Sequence, residues 1–102
     1  NGNIKKEKKY FTGLSIKIPN KPGKLGEVSS LIGINQCNII NMEIVAKKTD
    51  YLEFIFDIQI NNLENYKKLI SELKSNEFNF KIIRHRKKDA FLQRLFKNFK
   101  RN

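Results

Sequence analysis

The stretch YLEFIFDIQI, Tyr51–Ile60, places Leu52, Phe54, Phe56, Ile58 and Ile60 at every second position. Tyr51, Glu53, Ile55, Asp57 and Gln59 fill the gaps. Side chains of an extended chain point alternately to opposite faces, so this pattern demands a strand with one side against an apolar core. Whatever else the chain builds, it builds a sheet. The other side of the same strand mixes apolar and charged residues; left open, such a face invites a partner.

The remaining segments supply the rest of that sheet and its cover. Residues 11–18 alternate, with Leu14, Ile16 and Ile18 against Ser15 and Lys17, and predict a first strand. Pro19 and Pro22 bracket a turn, since each fixes its own φ and lacks an amide hydrogen. A helix is expected from about Lys24, with Leu25, Val28, Leu31 and Ile32 on one face and Gly33 and Asn35 as stops. Residues 38–47 predict a second strand, Ile40, Met42 and Ile44 alternating with Asn41 and Glu43. Lys48, Thr49 and Asp50 suit a hairpin connection. After the long strand, Asn61 and Asn62 can cap a helix carrying Leu63, Tyr66, Leu69, Ile70 and Leu73, which ends at Ser75 and Asn76. Phe78, Phe80 and Ile82 make a last strand. The order βαββαβ predicts an α+β, ferredoxin-like fold: a four-stranded antiparallel sheet with two helices on one face.

The chain's 102 residues suit one small domain. Its net charge of +11 is unevenly spread. Residues 1–9 hold four Lys and one Glu (+3), residues 84–102 eight Lys or Arg and one Asp (+7), and residues 10–83 nine basic and eight acidic groups (+1). The expected organisation is a flexible basic lead-in over 1–9, a nearly neutral domain over 10–86 and a basic tail over 87–102. One cysteine, Cys37, leaves no internal disulfide and fits a reducing compartment, the cytoplasm. No apolar run approaches the length of a membrane span, so stable membrane insertion is not expected.

Several chemistries find no residues here. His85 and Cys37, the only His and the only Cys, cannot build a zinc or iron–sulfur site, and no metal or cofactor is expected. Ser-His-Asp or Cys-His catalysis lacks a base. Glu53 and Asp57 share a strand face, where carboxylates are expected to be solvated. The turn NKPGKLG lacks the spaced glycine and the Ser or Thr of a phosphate loop. RNA-recognition domains of similar topology stack bases on open-face aromatics. Here Phe54 and Phe56 share the core side with Leu52 and Ile58, and the open side offers acidic groups. By itself the chain is expected not to be an enzyme.

The ordered set IPNKPGKLGEVSSLIGINQCNIINMEI resembles the ACT domain family of regulatory modules, through Pro22, Gly23, Leu25, Val28, Asn38 and Ile39. IPNKPGKLGEVSSLI, NIINMEI, YLEFIFDIQINNLENYKKLISEL and the closing IIRHR look like the C-terminal ACT domain of RelA/SpoT enzymes, which make and hydrolyse (p)ppGpp in the stringent response. The likeness covers about residues 10–86. Asn65 and Tyr66 depart from the His-Leu often found where the second helix begins. The resemblance implies a regulatory fragment whose catalytic domains lie upstream, a homodimer, and a small effector, a branched-chain amino acid, held at the dimer interface by the first turn. The residues expected to hold it are Asn20, Lys21, Pro22, Gly23, Lys24 and Leu25, with Asn38, Ile39 and Asn41 across the interface. Gly23 permits close backbone approach, and the amides opening the helix suit a carboxylate. The simpler reading, that Pro22 and Gly23 only turn the chain and Leu25 is core, stays open. Two alternatives stand beside the sensor: a module that docks on ribosome or tRNA without a metabolite, and the ACT domain of an amino-acid biosynthetic enzyme.

The tail KKDAFLQRLFKNFKRN carries a separate signal. Asp89 can cap a helix on which Phe91, Leu92, Leu95, Phe96 and Phe99 line one side, with Arg94, Lys97, Lys100 and Arg101 on the rest. It can pack on its own domain or a dimer mate, contact ribosomal RNA or protein, or lie on a membrane surface.

Overall fold

A computed structural model describes residues 9–83. The elements run β1 (Tyr10–Pro19), α1 (Lys24–Ile34), β2 (Asn38–Lys47), β3 (Tyr51–Ile60), α2 (Leu63–Ser75) and β4 (Asn79–Ile83). The strands pair antiparallel in the order β2-β3-β1-β4, which is the ferredoxin-like arrangement. What was expected of residues 1–8 and of the tail from residue 84 onward lies outside the described residues.

The period-2 pattern of the central strands builds the core. Leu14, Ile16 and Ile18 of β1 and Phe54, Phe56, Ile58 and Ile60 of β3 are buried against Val28 and Ile32 of α1 and Leu69 and Leu73 of α2. Full burial of side chains such as Phe56, Leu14 and Ile58 contributes about 1.5–3 kcal/mol each. The rings of Phe54 and Phe56 lie 5.8 Å apart and tilted. Leu63, expected on the buried stripe of α2, is 48% exposed, because it sits in the first turn beyond the edge of the core.

Both helices end the same way. Gly33 lies inside α1, and the left-handed residue after the helix is Gln36 at φ 61, not a glycine. Its amide donates to Gly33 O at 2.9 Å, and that of Cys37 to Ile32 O at 3.1 Å. At the end of α2, Glu77 at φ 63 repeats the arrangement: its amide donates to Lys74 O at 2.9 Å and that of Phe78 to Leu73 O at 3.0 Å. This is the Schellman closure, with Cys37 and Phe78 turned into the core as its apolar contacts. Asn35 then ties the helices together, its Nδ2 donating to Glu72 Oε1 at 2.7 Å and to Leu31 O at 2.8 Å. α2 opens as its sequence predicts, Asn62 Oδ1 accepting from the amides of Glu64 (2.8 Å) and Asn65 (3.3 Å).

β2 departs from simple alternation. Register shifts fall between Ile39 and Asn41 and between Ile44 and Ala46, so Ile40 and Val45 are extra residues in the ladder. Met42 and Ile44 pair with Phe56 and Phe54 yet remain 45% and 47% exposed, because β2 is an edge strand.

Candidate functional site

The connection between β1 and α1 is a turn built by its own residues. Lys24 N–H donates to Lys21 O at 3.3 Å, with Pro22 and Gly23 between them. Gly23 has φ 87 and ψ −14. Proline at the second position and a left-handed glycine at the third define a type II turn. The turn is anchored to the β2–β3 hairpin by Asn20, whose amide donates to Asp50 O at 2.9 Å and whose Nδ2 donates to Thr49 O at 3.4 Å.

Gly23 is also the N-cap of α1. Its carbonyl accepts from Glu27 N–H at 3.0 Å, but it has no side chain to cap the helix, and none does so. The first turn of α1 therefore presents backbone amides and the positive end of the helix dipole, a combination that favours an anionic group. Lys24 pairs with Glu27 at 3.4 Å beside it, and Leu25 is half-buried against the core. Glycine and proline are here the turn itself.

The residues expected to share a ligand do not meet within one chain. Residues 20–25 sit at the hairpin end of the sheet. Asn38 and Ile39 open β2 at the other end, nine strand steps and about 30 Å from Lys47. Asn41 faces the helix-free side, where its Nδ2 donates to Asp57 Oδ2 at 3.2 Å. The surface between the two groups is the outer edge of β2, with Met42, Ile44 and Val45 each nearly half exposed, and Ile34 at the end of α1 is 70% exposed.

The helix-free face corrects the expectation of solvated carboxylates. Asp57 is only 4% exposed. Glu53 is half-buried and accepts from Ser15 Oγ at 2.8 Å. Ser15 and Glu53 line a shallow depression with Lys17, Asn79, Phe80 and Lys81, and Lys17 Nζ lies 5.3 Å from the centre of the Tyr51 ring. Residue types alone do not reveal this cluster. Its signal is the antiparallel register that sets Lys17 beside Glu53 and Ser15 beside Lys81.

Burial raises the pKa of the Cys37 thiol. It also raises that of the Tyr66 phenol, an effect partly offset by nearby Thr12 and slightly reinforced by Cys37. The Tyr66 hydroxyl is nonetheless buried without reaching hydrogen-bond geometry to any partner. Among the described residues no group of three or more His, Cys, Asp or Glu converges as a metal site, and no helix is long and apolar enough to cross a membrane.

Comparison with known proteins gives this geometry a family context. A model of the ACT domain matches residues 6–78. GTP pyrophosphokinase rsh of Brucella ovis is 32% identical over 63 residues, covering 62% of this chain and 8% of that protein. The protein of the same name in Brucella abortus is 30% identical over the same length. The chain thus spans about 8% of the length of the curated relatives it matches. Among solved structures, the solution structure of the ACT domain from GTP pyrophosphokinase of Chlorobium tepidum superposes with a TM-score of 0.58 at 18% identity, over 76% of this chain and 89% of that one. Prephenate dehydratase from Streptococcus mutans does so with a TM-score of 0.64 at 26% identity, over 76% of this chain and 42% of that one.

Proposed function

The chain belongs to the ACT domain family, as a regulatory domain related to GTP pyrophosphokinase rsh, and on that premise we propose that it is the C-terminal sensor of a bifunctional (p)ppGpp synthetase and hydrolase of the stringent response. In this reading catalysis belongs to other domains of that protein, in the cytoplasm, and this module controls them by dimerising and binding an amino acid. The pyrophosphokinase relatives support such a parent over an amino-acid biosynthetic enzyme.

The observation that carries the reading is the division of the expected site between the two ends of β2. One chain alone cannot close a pocket from residues 20–25 and residues 38–39. A second copy can. If β2 pairs antiparallel with β2 of another copy about a two-fold axis, the start of one strand comes to lie beside the hairpin end of the other. Asn38 and Ile39 of each copy then face the first turn of its mate. The same pairing covers Met42, Ile44 and Val45, whose exposure supports it. The uncapped amides after Gly23 would take the ligand carboxylate, Asn38 the ammonium group, and the apolar edge a branched side chain.

The test is an amide-resolved NMR titration with valine, isoleucine and leucine, run beside sedimentation equilibrium. Saturable shifts at residues 20–25 and 38–41 of a dimer are expected. They should vanish in Ile44→Lys, which places a charge in the pairing edge. Silence at both segments in a dimeric sample overturns the sensor and leaves the turn structural.

A further inference from the structure

On the face of the sheet opposite the helices, the patch around Gly13, Ser15 and Asp57 is buried. Across that face runs one row of paired residues: Ile83 of β4, Gly13 of β1, Asp57 of β3 and Asn41 of β2. Gly13 is buried, Asp57 is 4% exposed and Ser15, one step along the face, is 9% exposed. Neither helix packs on this side. On its β1 side, Asp57 is flanked by Gly13, which has no side chain to shield it. Phe11, Ile55 and Ile83 on the same face are half-buried, and none of the chain's strongly exposed apolar residues occupies an open-face position of β1, β3 or β4.

We propose that the basic amphipathic segment 89–101 of this same chain covers that face, seating its apolar ridge over the row from Ile83 to Asn41. The chain leaves β4 at Ile83, within that row. Residues 84–88 reach about 17 Å when extended. A helix over residues 90–101 would be about 18 Å long, against about 14 Å between the outer strands of a four-stranded sheet. The segment is therefore long enough to cross it.

Its chemistry is complementary as well. Phe91, Leu95 and Phe99 recur every four residues, with Leu92 and Phe96 beside them. Gly13 places no side chain of its own beside Asp57 on this face. The β2–β3 half of the face carries Glu43, Glu53 and Asp57, and residues 84–102 carry a net charge of +7. Opposite charges fix the orientation of docking more than its strength. So placed, the segment is a third layer of the domain, with part of its charge already met, and is no free basic arm.

The test attaches a nitroxide to Gln93→Cys in the 102-residue chain and reads paramagnetic broadening of amide signals. Cys37 is buried, and labelling of the unmutated chain controls for it. The expected result is strong broadening at Gly13, Ser15, Ile55 and Asp57, unchanged on dilution and lost in Phe96→Asp. Broadening that survives Phe96→Asp reflects the tether alone and overturns the proposal. So does broadening centred on the helices or the outer edge of β2. Transfer of the effect to unlabelled chains in a mixed sample assigns the segment to a second copy. An unbroadened face, with tail signals that shift only when single-stranded RNA is added, assigns it to nucleic acid. Either outcome rejects the intramolecular cover.

Discussion

Asn41 Nδ2 donates to Asp57 Oδ2 at 3.2 Å, joining edge strand β2 to β3 on the side away from both helices. A carboxylate only 4% exposed must be met by donors, because a bare buried charge costs several kcal/mol. The contact therefore fastens the strand that the two register shifts make least regular.

Asn41→Ala is expected to lower stability by about 1.5–3 kcal/mol, the worth of a hydrogen bond to a charged group. Urea denaturation measures it. A loss below about 0.5 kcal/mol, within the range of an ordinary surface substitution, would mean that other donors carry Asp57.

Gly23→Ala is expected to cost about 1–2 kcal/mol through backbone strain alone. A Cβ there meets nothing within 4 Å, whereas φ +87 is unfavourable for any L side chain. The same denaturation measurement checks it. An unchanged midpoint would show that the turn can relax out of the type II conformation.

Gln36→Gly and Glu77→Gly are each expected to stabilise the fold, by about 1 kcal/mol. Both residues sit at left-handed φ in a helix closure that favours glycine, and relief of that strain outweighs the added freedom of the unfolded chain. Because Asn35 bonds Glu72 between the two helices, the double variant measures whether the two closures are coupled: a departure from the sum shows that they are.

Tyr66→Phe is expected to raise stability by about 1 kcal/mol, since it removes a buried hydroxyl that reaches no partner. It should also flatten the alkaline limb of the stability profile. Cys37 and Tyr66 have folded pKa values above their unfolded ones. Over that interval the folded chain keeps protons that the unfolded chain has lost, so stability is full at neutral pH. It falls as pH climbs past about 8.5 for the thiol and about 10 for the phenol. Thermal melts from pH 7 to 11 on the parent and Tyr66→Phe measure the difference. Parallel curves would refute the assignment.

Element order and the buried faces of β1, β3, α1 and α2 were legible in the sequence. Alternation at Leu14, Ile16 and Ile18 and the spacing of Val28, Ile32, Leu69 and Leu73 are local signals, set by the periods of strand and helix. So was the cap at Asn62, which acts on amides two and three residues away. The type II turn was half legible: Pro22 and Gly23 announce a turn, but its anchoring of Asn20 to Asp50 depends on the pairing of β1 with β3. The left-handed positions at Gln36 and Glu77 carried no glycine to betray them. The register shifts of β2, the burial of Asp57 and the Ser15–Glu53 contact had no signal in residue type. Nor did the separation of residues 20–25 from residues 38–39. Those features depend on which residue each strand sets beside which, and that is decided when the sheet assembles. Sequence periodicity determines what each segment becomes; pairing across the sheet decides which polar groups are covered and which sites one chain can close alone.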